Sequence, residues 1–99
     1  MSEPFVVVVS FDTTPENHEE ARALIGSYVR DFLSRQPGFL ESWLNEKTED
    51  AGLLHFARWR EEADFRAFAE IASGHPDLPR MREFQPSANF YRQLERFGD

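Results

Sequence analysis

Residues 37–65, PGFLESWLNEKTEDAGLLHFARWREEADF, read as a β-hairpin running into a helix. Side chains alternate between the two faces of a strand, so Phe39, Glu41, Trp43 and Asn45 share one side. His55, Ala57 and Trp59 share a side of the return strand. Glu49-Asp50-Ala51-Gly52 supplies the turn, with glycine available for a positive φ. A turn centred near Asp50 sets Asn45 across from His55 and points both odd-numbered sets the same way. An amide, an imidazole and two indoles then project together, which suits a pocket better than an apolar core. The even-numbered set, Leu40, Leu44, Leu54 and Phe56, is expected on the opposite face.

The flanking segments extend this unit. Phe5–Phe11, FVVVVSF, is apolar on both alternating faces and reads as a central strand covered on both sides. Thr13-Thr14-Pro15-Glu16 is a helix start, and Ala21, Leu24, Ile25, Tyr28, Val29 and Phe32 follow at helical spacing until Gln36-Pro37-Gly38. A second, shorter helix spans Glu61–Ala72, with Phe65, Phe68, Ala69 and Ala72 on one face, and Gly74-His75-Pro76 ends it. Asp77–Gln85 reads as a loop or a short helical turn. Ser87–Phe97 supplies a last extended segment, although FYRQLERF also has helical spacing. The order β-α-β-β-α-β predicts an α+β, ferredoxin-like domain over residues 1–99, a four-stranded antiparallel sheet with the first and third strands central. Right-handed connections place both helices on one face. The other, aliphatic face needs a cover, and a second copy packed sheet to sheet is the economical one.

The totals narrow the function. A net charge of −7 disfavours nucleic acid, whose phosphates require a basic surface. The absence of cysteine removes disulfides, iron–sulfur clusters and thiol nucleophiles. There is no apolar run long enough for a membrane span and no signal-peptide pattern at the N-terminus, so a cytoplasmic location is expected. Ten phenylalanines among 99 residues suggest an aromatic core or a cavity for flat ligands. His18, His55 and His75 lie on separate elements without HxH or HxxxH spacing, so no metal site is expected. No glycine-rich phosphate loop, flavin fingerprint or Ser-His-Asp order is present.

With PGFL at Pro37–Leu40, a strand ending in Trp59 and the helix start REEADF, the chain resembles the antibiotic biosynthesis monooxygenase family. The resemblance covers nearly the whole chain and implies a dimeric α+β barrel. The pattern is nearest to the cofactor-free monooxygenases that oxidise anthrone-type aromatic polyketides to quinones. In that group an Asn is followed four residues on by Trp, and by a Tyr after the helix begins. Here His55 stands at the Asn position, Trp59 keeps the Trp, and Phe65 stands where the Tyr falls. A histidine of that group's second strand falls at Asn45. The resemblance implies a monooxygenase that uses O2 on an aromatic, phenolic substrate with no cofactor or metal.

Each candidate residue has a functional reading and a plainer one. His55 is a general base or a hydrogen-bond partner for a phenol, or a buried neutral imidazole satisfied by Asn45 or a backbone carbonyl. Trp59 and Asn45 orient the substrate, or are respectively a core side chain and a polar residue near a turn. Phe39, Trp43 and Phe65 form aromatic walls, or simple packing. Tyr28 sits on the apolar face of the first helix with its hydroxyl at a boundary. Arg82, in the proline-bracketed segment, caps the pocket and stabilises a phenolate or peroxide anion, or is solvated like Arg80. Two other classes compete: a non-catalytic dimeric ligand-binding or interaction module, and a heme-binding or heme-degrading relative with His75 as the nearest axial ligand.

Overall fold

The computed structural model describes residues 3–98. Four strands, β1 (Phe5–Phe11), β2 (Phe39–Glu46), β3 (Leu53–Trp59) and β4 (Pro86–Arg92), form one antiparallel sheet in the order β2-β3-β1-β4. Helices α1 (His18–Asp31) and α2 (Glu62–Ala72) are joined by a short third, α3 (Leu78–Arg82). The ferredoxin-like order and the two central strands match the sequence reading. No helix among the described residues is long and apolar enough to cross a membrane.

Local chemistry sets the boundaries. The proline-bearing segment Thr14–Asn17 is a turn rather than the first turn of the helix. The Asn17 N–H donates to the Thr14 carbonyl and hydroxyl (both 3.2 Å), and the Thr14 N–H donates to Asn17 Oδ1 (2.8 Å). Helix α1 begins only at His18. The segment after Pro76 is helical for five residues, with Pro79 in its first turn, where a missing N–H costs nothing. Strand β4 ends at Arg92, and residues 93–98 are neither helix nor strand.

The hairpin register departs from expectation. Leu44 pairs with His55 and Asn45 with Leu54, so the turn centres between residues 49 and 50 rather than at Asp50. A one-residue difference turns every side chain over to the other face. Leu44 therefore faces the helices beside His55. Trp43 and Asn45 face outward, opposite Phe56 and Leu54. An irregularity between Phe39 and Glu41 then absorbs Leu40 as an extra residue, and Phe39 pairs with Trp59 on the helix side. The physical reason is burial. This register takes aliphatic Leu44 inward and lets Glu41 reach the Arg58 guanidinium on the outer face.

The core lies between the sheet's inner face and the helices. Trp59 and Phe84 are fully buried, and Phe5, Phe11, Ile25 and Phe68 pack with them. The outer face carries Val6, Val8, Leu54, Phe56, Trp43 and Tyr91. Leu94 and Phe97 share a shallow depression with Val6, Val8 and Phe56.

Candidate active site

A cavity of about 210 Å³ opens between the inner face of the sheet and the three helices. Its floor is Val7 and Val9 of β1 with His55, Ala57 and Trp59 of β3, all on the helix-facing parity of adjacent strands. Helix α1 supplies Ile25, Tyr28 and Val29, α2 supplies Phe65 and Phe68, and α3 supplies Leu78, Met81 and Arg82. The wall is overwhelmingly apolar, so its few polar groups decide what chemistry it can support.

His55 is the first of these. It is 5% exposed, and its Nε2 is buried with no hydrogen-bond partner among the described residues. Burial in apolar surroundings disfavours the imidazolium and pushes its pKa down to about 4, so the ring is neutral near pH 7. A neutral imidazole with an unsatisfied nitrogen beside a cavity is poised to share a proton with a ligand oxygen. Tyr28 is the second. Burial, reinforced by the nearby Asp77 carboxylate, pushes its pKa up to about 12. Its hydroxyl therefore stays protonated and can donate.

Trp59 is enclosed in rings: Phe39 and Phe65 meet it edge-on at 5.7 and 5.8 Å, and Phe68 lies at 5.2 Å. Phe39 thus stands behind Trp59 as support rather than on the cavity wall. Arg82 is exposed and lines the cavity with exposed Pro86 and Ala88, which marks its mouth. Among the described residues no salt bridge engages Arg82, whereas neighbouring Arg80 is held by Glu20 and Glu83 and lies over the Phe84 ring.

Of the residues singled out from sequence, His55, Trp59, Phe65, Tyr28 and Arg82 therefore line one cavity. Asn45 and Trp43 do not. Asn45 directs its amide to the Trp43 and Leu54 carbonyls (3.4 and 3.3 Å) on the other side of the sheet, so it cannot orient the His55 ring. Trp43 packs against Phe56 there, with ring centroids 5.7 Å apart.

The remaining histidines are engaged elsewhere. His75 lies against the Tyr28 and Phe32 rings, and its Nδ1 accepts from the Asp77 N–H at 3.0 Å. His18 is only partly exposed. Thr13 Oγ1 and Glu46 Oε2 each lie 2.8 Å from one of its ring nitrogens, tying the α1 start to the end of β2. Its donor atom falls within 4.8 Å of those of Glu19 and Glu46. Both ring nitrogens are already taken, so this trio carries no metal assignment.

Residues 4–85 match the family described as antibiotic biosynthesis monooxygenase. The chain belongs to that family. Among curated relatives, the tetracenomycin-F1 monooxygenase of Streptomyces glaucescens is 30% identical over 92 residues, covering 93% of this chain and 73% of the relative. Solved structures share the fold at lower identity. SnoaB, a cofactor-independent oxygenase of Streptomyces nogalater crystallised as a point mutant, superposes with a TM-score of 0.85 at 18% identity, covering 99% of this chain and all of that one. The monooxygenase of the ActVA-Orf6 gene of Streptomyces coelicolor, solved with nanaomycin D, gives 0.80 at 20% identity over 98% and 93% of the two chains. Met81, Leu78 and Ala88 also line the cavity, and the sequence reading did not assign them to the site. Leu78 and Met81 sit three positions apart in a proline-bracketed segment of five helical residues, too short to show a period.

Proposed function

We propose that the chain is a monooxygenase that uses O2, without a bound cofactor, on an aromatic, phenolic substrate held in the inner-face cavity. The observation that carries this reading is the buried, unpartnered Nε2 of His55 beside Trp59, in a chain of this family. The names of relatives support the reaction class: one is a tetracenomycin-F1 monooxygenase and another a cofactor-independent oxygenase.

The chemistry follows from the residues. His55 accepts the phenolic (or enolic) proton and leaves an electron-rich anion among apolar walls. The anion gives one electron to O2, and the radical pair closes a carbon–oxygen bond to form a peroxide. Loss of water from that peroxide, with the proton returned from His55, leaves a carbonyl, so one substrate and one O2 give one quinone and one water. Trp59 and Phe65 hold the ring, the Tyr28 hydroxyl donates to a substrate oxygen, and Arg82 at the mouth stabilises anionic character. Nothing here requires Asn45.

The heme reading fits poorly. The cavity is far smaller than a tetrapyrrole, and His75 is held by its neighbours. A non-catalytic interaction module filled by its own side chains would pack Trp43, Trp59 and His55 with no cavity, whereas Trp59 and His55 line one. We place the partner copy on the outer sheet face, and a cytoplasmic location suits a cysteine-free chain. Oxygen-electrode traces with anthrone- or hydroquinone-type substrates test the reaction. Uptake should fall at least about tenfold in His55→Ala. Unchanged uptake in that variant removes His55 from the mechanism.

A further inference from the structure

The cavity is small for a polycyclic ligand. Small-molecule sites usually measure about 300–1,000 Å³, against 210 Å³ here. A dry apolar cavity of roughly 150 Å³ is filled by benzene. The volume left over here encloses one more fused ring but not two, so a third ring has to displace a wall side chain or project through the mouth at Arg82. The walls also differ in how far they can yield. Phe65 meets the Phe5, Trp59, Phe68 and Phe90 rings, and Phe68 meets Phe32, Trp59 and Phe65, so neither moves without dismantling the aromatic cluster. On the floor, Val7 and Ala57 are paired across the central strands and cannot recede. Met81 is different. It is 6% exposed within the core cluster and reaches the cavity from α3, next to the mouth residue Arg82. Its unbranched side chain is the adjustable part of the wall.

We infer that the cavity selects one- or two-ring phenols over three-ring, anthrone-type ones, and that Met81 sets this limit. The inference rests on the proposed aromatic-substrate site and narrows it. A 1-naphthol-type substrate then gives, with O2, a naphthoquinone and water. Binding is read at the Trp59 indole N–H cross-peak in ¹⁵N–¹H spectra, which Trp43→Phe assigns because the chain has two tryptophans. The probes are phenol, 1-naphthol and air-stable 1-hydroxyanthraquinone. The expected result is saturable movement of that peak, with 1-naphthol binding about tenfold or more tighter than the three-ring probe. In Met81→Ala the gap should close to about threefold or less, with Met81→Val intermediate. Equal affinity for the two- and three-ring probes in the natural protein overturns the size limit. An unchanged gap in both Met81 variants, shown folded by their spectra, overturns the role of Met81. Failure of all three probes to move the Trp59 peak overturns the cavity as a phenol site. If 1-naphthol binds at Trp59 but neither it nor anthrone drives oxygen uptake, the oxygenase reading falls while size selection stands.

Discussion

At the scale of single residues, His55 makes the sharpest demands. In the unfolded chain its imidazole titrates near 6.5, and in the folded chain burial lowers that to about 4. Between those values the unfolded state binds a proton that the native state does not. Stability therefore falls as pH drops through 6.5 toward 4, and the contribution levels off below that. The full swing is at most about 3 kcal/mol for a shift of this size. His55→Asn, which removes the imidazole but keeps a polar side chain, should lack this component while keeping the carboxylate titrations. Denaturant unfolding at pH 7 and pH 4.5 in both proteins isolates it, and equal losses would mean that the ring is solvated. The same burial sets the activity profile. If His55 takes the substrate proton, oxygen uptake should stay flat from pH 8 to about 5 and fail only near 4. An acid limb centred on 6.5 would place the base elsewhere.

Elements, not residues, decided which side chains reached the site. Gly38 illustrates how. Its φ is +87°, and a Cβ there would come within 2.2 Å of the Asp64 side chain, while its carbonyl accepts the Arg60 N–H at 2.7 Å. The PGFL motif is thus the joint that locks the start of β2 against the start of α2. Gly38→Ala should cost more than about 1 kcal/mol in chemical denaturation, through both strain and the displaced Asp64. A neutral outcome would show that the joint yields. The sequence made the strands, the two main helices and the helix-side placement of His55, Ala57 and Trp59 legible, because apolar periodicity reports burial. It did not make the β2 register legible. Glu41, Trp43 and Asn45 alternate as cleanly in either parity, and only the turn centre and the extra residue at Leu40 choose between them. Asn45 and Trp43 were therefore assigned to the wrong face, while Phe39 kept its side. The wall from α3 escaped for another reason. A five-residue helix bracketed by prolines has too few positions to show a period, so Met81 and Leu78 carried no pattern.

The two faces of the sheet differ in character, and the corrected register sharpens the contrast. With Leu44 turned inward and Trp43 outward, the outer face gathers Trp43, Phe56, Leu54 and Tyr91 beside Leu94 and Phe97. Trp43 and Tyr91 are half exposed, and Leu94 and Phe97 are 78% and 80% exposed. An apolar patch of that kind on a chain of 11.6 kDa calls for a partner surface, and twofold pairing of the same face supplies one. Sedimentation should give twice the chain mass. Replacing Trp43 and Phe56 together by glutamate and aspartate should give monomers, because two buried charges per face meet their own copies across the axis. Neither side chain lines the inner cavity, so the monomer should still move the Trp59 indole peak with 1-naphthol. Loss of dimer and ligand binding together would show that the site needs its partner. A monomeric natural protein would return the outer face to some other occupant.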